Sequence, residues 1–194
     1  MTLERDPAQD RNLTALLGKF QAVLPGVRQW VEDTLRATRE QAVPVNRSAY
    51  PRLAQTFPQA LLNRVRCIVV AGKPPFPPLS RMGLPEFAAF EAMPISGITY
   101  RDTFFVREGR QSEGLYFHEI VHVVQWDRLG VERFLLAYGV GLMQAGYRDS
   151  PLEAMAYRLQ ADFDRGGVPG NLVRLIQQGT DRIWENAAPL VGLV

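Results

Sequence analysis

Apolar residues recur at every third or fourth position near the start of the chain, which is the spacing of one face of an α-helix. This pattern predicts two helices, over residues 9–24 and 27–42. Proline lacks the amide hydrogen that a helix interior needs, so Pro25 and Pro44 are expected to end these helices. The next stretch, residues 45–60, is rich in turn-forming residues and is expected to consist mainly of turns.

The middle of the chain contains short runs rich in β-branched and aromatic residues. The segment RVRCIVVAG, residues 64–72, predicts a first strand. A proline-rich connection, KPPFPPLS, and a short helix over residues 85–92 follow it. Two further runs, residues 98–100 and 103–106, are separated by two residues that predict a tight turn or a bulge. We expect these runs to form a small antiparallel sheet beside the next helix.

The segment after the sheet predicts a helix with apolar residues on nearly all of its faces, as is typical of a buried helix. Ser112 is expected to cap its N-terminus, and Gly130 is expected to end it after Leu129. A second helix is expected over residues 131–145, although two glycines weaken the pattern in its middle.

The remainder of the chain has strong helix boundaries. Ser150 is a capping residue, Pro151 occupies the first helical position, and the two glycines at 166–167 are expected to end this helix. Residues 170–194 predict one more helix and an apolar tail.

These elements predict an α+β fold, predominantly helical, with a small antiparallel sheet beside the long buried helix. The length of 194 residues suits one domain over residues 1–194. We divide it into a helical N-terminal part (1–60), a central part that includes the sheet, the long buried helix and the helix that begins at Pro151 (61–165), and a C-terminal helix (166–194).

Composition and charge narrow the class of protein. Hydrophobic residues make up 46% of the chain and charged residues 22%, which is typical of a globular protein. The net charge of +2 is not concentrated in a basic stripe, so we expect no nucleic-acid partner. Cys67 is the only cysteine, which excludes an internal disulfide. The first twenty residues lack the apolar run of a signal peptide or membrane span, so we expect a cytoplasmic protein without a membrane partner.

The segment LYFHEIVHVVQW contains the only two histidines of the chain, His118 and His122, with Glu119 beside the first. Residues four apart on a helix point the same way, so both imidazoles can bind one metal ion, and the ligand set suits Zn²⁺. Zinc activates a bound water, and Glu119 is placed to take the proton of that water as a general base. Two neutral core histidines are the alternative, but three buried polar side chains would then need other partners.

The chain has no third histidine, so a carboxylate is expected to complete the site. Glu132, Asp149 and Glu153 are the candidates. We favour Glu153, because it lies on a separate helix far enough downstream for the chain to return to the histidines, whereas Glu132 would need a sharp reversal. Ser150 and Glu153 also have the spacing of a capping box, in which the glutamate bonds only the backbone at its own helix end.

The segments HEIVHVVQW, FLLAYGVGLMQAGYRDSPLEAMAYRLQADF and the preceding ITYRDTFFV resemble the minimal gluzincin-type zinc metallopeptidases, a group that includes uncharacterised bacterial proteins. The similarity covers about residues 95–165. It implies a zincin-like domain in which His118, His122 and Glu153 bind Zn²⁺ and Glu119 is the catalytic base.

The chain differs from better-known gluzincins at Tyr157, where those proteins often have an aspartate that supports a histidine ligand. A ligand histidine needs a partner for its other ring nitrogen. Gln125, one turn beyond His122, is a candidate for this role, and Tyr157 is the other residue expected beside the ligands. Hydrogen bonding at the edge of the core is the alternative role of Gln125.

A peptidase also stabilises an oxyanion and holds its substrate. Tyr147 precedes the Glu153 helix and is the candidate oxyanion donor, with plain packing as its alternative. An extended substrate could add to a strand of the sheet, and Thr103, Phe104, Phe105 and Val106 are the candidate residues for this pairing.

Zinc-dependent hydrolysis of peptide bonds, with a peptide or protein as substrate, is therefore the function that we expect. The alternative is a non-catalytic, zincin-like binding or scaffold protein that keeps only the metal or the fold. Glu119 favours catalysis, because a purely structural zinc site has no use for a carboxylate beside an open coordination position.

Overall fold

Seven α-helices and four short strands occur in the computed structural model, which describes residues 7–47 and 50–193. The helices are α1 (Pro7–Ala37), α2 (Pro51–Thr56), α3 (Gln59–Arg64), α4 (Ala88–Ala92), α5 (Glu113–Asp149), α6 (Pro151–Asp164) and α7 (Leu172–Ala187). The strands are β1 (Val43–Pro44), β2 (Arg66–Val70), β3 (Gly97–Tyr100) and β4 (Thr103–Arg107). The predominantly helical α+β class and the single domain are confirmed.

The four strands form one sheet in the order β1-β2-β4-β3. The prediction of an antiparallel sheet is wrong for one pair, because β2 and β4 run parallel while the other neighbours run antiparallel. The long connection after β2 leads first to the outer strand β3, and the turn at Arg101 then folds β4 back into the gap between β3 and β2. Arg101 has a φ of 58°, a conformation that fits the tight turn expected there.

The two faces of the sheet pack against different helices. Phe105 and Ile68 belong to a core cluster that includes α1 and the later part of α5. Phe104 and Val106 belong to a second cluster that includes the start of α5, α6 and α7. Side chains of a strand alternate between its two faces, so one five-residue strand contributes to both cores.

The helix α1 is one element, so the prediction of two helices separated at Pro25 is wrong. A proline inside a helix costs about 3 kcal/mol, because a backbone hydrogen bond is lost. Buried apolar residues recur with helical spacing on both sides of Pro25, and their contacts with the core offset this cost. This buried stripe consists of Leu17, Phe20, Leu24, Val27 and Val31. The helix ends at Ala37, and Pro44 lies in β1.

The segment expected to consist of turns contains the two short helices α2 and α3. Pro51 is the first residue of α2, and Pro58 immediately precedes α3, so both prolines begin helices here. Leu53, Leu61 and Leu62 are buried and tie these helices to the second core cluster.

The helix α5 contains two breaks, at Gly130 (φ 72°, ψ 176°) and Gly146 (φ 75°, ψ −175°). We call residues 113–129 its first limb and residues 131–145 its second limb. Ser112 caps the first limb by accepting a hydrogen bond from the Leu115 amide. The predicted cap, the stop at Gly130 and the second helix are therefore confirmed.

The remaining helices lie where they were predicted, although the Ser150 side chain does not cap α6. The helix α6 begins at Pro151 and ends just before the two glycines, and α7 is the expected C-terminal helix. The predicted strand at residues 64–72 is β2, and the short helix at 85–92 is a 3₁₀ turn followed by α4. None of the described helices combines the length and the apolar character needed to cross a membrane.

Candidate metal centre

Two elements bring three ligand-type side chains to one point. His118 and His122 stand one turn apart on the first limb of α5, and Glu153 approaches them from the first turn of α6. The Nε2 atoms of the two histidines are 3.1 Å apart. The Oε2 atom of Glu153 lies 3.3 Å from Nε2 of His118 and 3.5 Å from Nε2 of His122. All three side chains are buried.

The size of this triangle suits a metal ion. Nitrogen and oxygen ligands lie about 2.0–2.1 Å from a tetrahedral zinc ion, which separates any two of them by about 3.3 Å. The three observed distances fall close to this value. Two imidazoles and one carboxylate are also a donor set that leaves one position of a tetrahedral zinc ion open. The residues present therefore fit zinc.

The Oε2 atom of Glu153 has no hydrogen-bond partner among the described residues, although it is buried. Its other oxygen, Oε1, accepts a hydrogen bond of 2.8 Å from the hydroxyl of Tyr138 on the second limb of α5. A buried carboxylate oxygen without a partner is costly, and here it faces two ring nitrogens. Tyr138 thus orients the carboxylate and leaves Oε2 for the candidate site.

Gln125 determines which nitrogen of His122 faces this site. The side-chain amide of Gln125 donates to the Leu152 carbonyl at 3.1 Å, so its Oε1 atom points at Nδ1 of His122, 2.8 Å away. An oxygen acceptor requires a hydrogen on Nδ1, which leaves the lone pair of a neutral imidazole on Nε2. Gln125 is 0% exposed and holds the ring orientation that a metal ligand needs.

The charges of Glu153 and His122 stabilise each other. Although burial opposes ionisation of Glu153, the neighbouring His122 and His118 hold the pKa of this carboxyl well below its usual range. Burial likewise opposes the imidazolium form of His122, but the Glu153 carboxylate outweighs it and raises the pKa of His122 to about 9. A proton on His122 therefore balances the carboxylate charge, and a metal ion bound at this site would displace that proton.

Glu119 packs against the outer strand of the sheet. Its Oε2 atom accepts a hydrogen bond of 2.7 Å from the hydroxyl of Thr99. A Cβ atom at Gly97 would lie 2.2 Å from the Oε1 atom of Glu119, so the absence of a side chain there makes room for the carboxylate. Burial raises the pKa of Glu119, and the nearby His118 and His122 only partly offset this effect.

The two expected tyrosines lie close to His118 and line a cavity together with it. The ring of Tyr157 contacts that of His118, with 4.6 Å between their centroids. Tyr147 interacts with Tyr157, and burial followed by the charge of Glu153 raises the pKa of Tyr147. The Nδ1 atom of His118 has no hydrogen-bond partner among the described residues, so Tyr157 contacts this ring without supplying the hydrogen bond that an aspartate would accept.

The alternatives for the third ligand are not part of the cluster. Glu132 and Asp149 are both exposed, whereas Glu153 is 3% exposed. The capping box does not form either, because the hydroxyl of Ser150 donates to the Tyr147 carbonyl and makes no cap hydrogen bond. The Glu153 side chain therefore does not take part in a capping box and instead approaches the two histidines.

The prediction that β4 binds an extended substrate is wrong. This strand lies between β2 and β3, so both of its edges are already hydrogen-bonded. Its predicted contact residues are buried in the two core clusters; they are Thr103, Phe104, Phe105 and Val106. An inner strand has no free edge to which a peptide could add.

Sequence reasoning missed three residues of this site, Gly97, Thr99 and Tyr138. They lie 15 to 22 positions from the side chains that they contact, so no local spacing links them to those side chains. The glycine at the start of an apolar strand was the one available signal, because a glycine in a strand often marks a close approach.

Comparisons with known proteins returned no significant match, whether with family models, with curated proteins or with solved structures.

Proposed function

We propose that this protein is a zinc-dependent hydrolase that cleaves peptide bonds or related amide bonds. The observation that supports this function best is the convergence of His118, His122 and Glu153 through atoms 3.1–3.5 Å apart, with the Glu119 carboxylate adjoining them. Two histidines and a glutamate would hold the metal, and the fourth position would face the substrate.

The chain supplies the remaining groups of such a reaction. A zinc ion at this site would polarise a substrate carbonyl and a water molecule. Glu119 takes a proton from the attacking water and delivers it to the leaving amine, and the Thr99 hydroxyl holds its carboxylate in place for both transfers. Tyr147 lines the same cavity as Glu153 and Glu119, and its hydroxyl is the proposed hydrogen-bond donor to a developing oxyanion.

Metal content tests the ligand set. Elemental analysis of the purified protein is expected to give about one zinc ion per chain, and Glu153→Ala is expected to abolish it. The matched control is Glu132→Ala, which removes an exposed carboxylate from α5 and is expected to keep the metal. Equal zinc in wild type and in Glu153→Ala would refute the proposed site.

Hydrolysis of an unstructured protein such as casein tests catalysis. Glu119→Gln keeps the shape of the side chain but removes the base, so it is expected to retain zinc and lose activity by a factor of at least about 1,000. Glu132→Gln serves as its control and is expected to leave activity unchanged. A wild-type protein that binds zinc stoichiometrically but cleaves neither casein nor small amides would support a non-catalytic metal-binding protein instead.

A further inference from the structure

Two cavities meet at the candidate metal centre. The first, which we call the apolar chamber, has a volume of about 80 Å³ and extends toward α1 and the second limb of α5. Its walls away from the metal centre are aromatic or aliphatic, and include Phe20, Val27, Phe87, Ile98, Phe134 and Leu142. The lining of the chamber suits a small apolar group.

The second cavity, of about 140 Å³, adjoins the first at His118 and Glu119 and has a more polar wall. We call it the outer cavity. Ser96, Tyr157 and Gln160 contribute to it. His118, Glu119 and Gly97 line both cavities, so the candidate reactive groups lie where the two meet. A bond cleaved at this point would have one substituent in each cavity.

The sheet offers no edge for an extended peptide beside this site. In β3, the outer strand, Gly97, Thr99 and Tyr100 are buried, and the Thr99 carbonyl accepts a hydrogen bond from the indole of Trp126 at 3.1 Å. The opposite edge, β1, has only two residues, and one of them is Pro44. Substrate binding by strand addition needs a run of free backbone groups, which neither edge provides.

The walls of the chamber determine which group can enter it. Transfer from water into an apolar cavity is favourable for methylene and aromatic groups. The same transfer is unfavourable for a charged group or for a polar group without a hydrogen-bond partner. We propose, on the basis of the hydrolase function above, that the substrate is a small amide or short peptide whose aliphatic or aromatic group enters the apolar chamber end-on. The scissile bond then lies beside Glu119, and the more polar part of the substrate occupies the outer cavity.

Hydroxamic acids of different chain length test this inference by binding, without a need for turnover. Calorimetry on the zinc-loaded full chain would compare hexanohydroxamic with acetohydroxamic acid, which share a metal-chelating group and differ by four methylene groups. Each buried methylene group strengthens binding roughly fourfold, so the longer acid is expected to bind on the order of 100-fold more tightly. Equal affinities in the wild-type protein would overturn the inference.

A variant with a narrowed chamber tests whether the alkyl chain of the longer acid binds there. Ile98→Trp places a large side chain in the chamber wall and is expected to reduce the hundredfold difference to less than about tenfold. Val69→Trp is the matched control, since it makes a similar change at an exposed position of β2 and is expected to keep the full difference. A difference that persists in a folded Ile98→Trp protein would place the alkyl chain elsewhere and would also overturn the inference.

Hexanamide, which carries no chelating group, separates this inference from the hydrolase function. Its binding, measured by saturation-transfer NMR, is expected in the wild type and in Glu153→Ala, and it is expected to be lost in Ile98→Trp. Hexanamide binding without any zinc-dependent hydroxamate binding would support the chamber and refute the hydrolase function. Zinc-dependent hydroxamate binding without dependence on chain length would refute the chamber and leave the hydrolase function standing.

Discussion

Glu119 has its position because the backbone of β3 approaches it without a side chain. A Cβ atom at Gly97 would come far closer to the carboxylate than any ordinary contact allows, and the carboxylate is buried, so it cannot move into solvent to avoid a methyl group. The Thr99 hydroxyl holds the other carboxylate oxygen. One glycine and one hydroxyl therefore set the location of the proposed base.

Replacement of Gly97 tests this packing. Gly97→Ala is expected to displace the Glu119 carboxylate by about 1 Å or more, which should lower the rate of hydrolysis by about 100-fold. Zinc content is expected to stay the same, because the three ligands do not contact this position. Gly72→Ala, at an exposed position with open space around it, is the control. Unchanged activity in Gly97→Ala would show that the position of Glu119 is not critical.

Gln125 acts on the metal through His122. Gln125→Leu removes the acceptor for the Nδ1 hydrogen, so the ring loses its fixed orientation, and zinc affinity is expected to fall by about 10- to 100-fold. Competition with a chelator of known affinity measures this change. Gln144→Leu, an exposed substitution on the second limb of α5, is expected to have no effect. Equal zinc affinity in Gln125→Leu and wild type would show that Gln125 does not support the ligand.

Cys67 provides a pH-dependent prediction outside the metal centre. Burial raises the pKa of the Cys67 thiol from 9.0 to about 11, against a smaller opposing effect of Tyr116. The unfolded thiol ionises first, so this residue favours unfolding as the pH rises from about 9 to 11, by up to about 3 kcal/mol. At pH 9 about 1% of native thiols are ionised compared with about half of unfolded ones.

Alkylation measures this difference, because the thiolate is the reactive form. At pH 9, iodoacetamide is expected to modify the native protein at least about 50-fold more slowly than the protein in denaturant, and Cys67→Ala is the blank. Similar rates in both states would indicate that Cys67 is neither buried nor shifted in its pKa.

The break at Gly130 is the main feature at the level of elements. It separates the limb that carries His118 and His122 from the limb that carries Tyr138, and Trp126 and Phe134 stack across it with 3.9 Å between their ring centroids. The change of direction allows Tyr138 to reach Glu153 on α6. The break thus contributes to the orientation of the third ligand.

Alanine substitutions at two glycines test whether the break at Gly130 requires a glycine. Gly130 has a φ of 72° and a ψ of 176°, a region that is almost restricted to glycine, so Gly130→Ala is expected to lower the free energy of unfolding by about 1–3 kcal/mol. Gly18→Ala, at an open position inside α1, is expected to raise it by about 0.5–1 kcal/mol. Denaturant titration measures both changes. A stabilising effect of Gly130→Ala would contradict the observed conformation.

At the level of the whole molecule, the proposed metal links two of the main helices. The two histidines belong to α5 and the glutamate to α6; both helices pack on α7, and α5 also packs on the sheet. A ligand that binds only the folded protein stabilises it by an amount that grows with its free concentration. Zinc is therefore expected to stabilise the entire domain and not the site alone.

Thermal unfolding with and without zinc tests this coupling. Free zinc at 1,000 times its dissociation constant is expected to add about 4 kcal/mol, which corresponds to a rise in Tm of about 10 °C for a domain of this size. Glu153→Ala is expected to show no zinc-dependent shift, and Glu132→Ala is expected to behave like wild type. A zinc-dependent shift of equal size in Glu153→Ala would mean that the metal binds elsewhere.

Features encoded within a few neighbouring residues could be predicted from the sequence. The cap at Ser112, the break at Gly130 and the start of α6 at Pro151 depend on the conformational preferences of single residues. The common face of His118 and His122 follows from the helical repeat alone. These preferences act over one or two turns, so they are readable without knowledge of the fold.

Apart from the approach of Glu153 to the histidines, contacts between distant segments were determined by the three-dimensional packing. Pro25 stays inside α1 because a buried stripe on both sides of it offsets a lost hydrogen bond, and β4 becomes an inner strand because the chain returns between its neighbours. Gly97, Thr99 and Tyr138 take part in the site only because the sheet and the second limb of α5 bring them to it. Contacts between distant segments depend on which surfaces the whole chain buries together, and no short stretch of sequence contains that information.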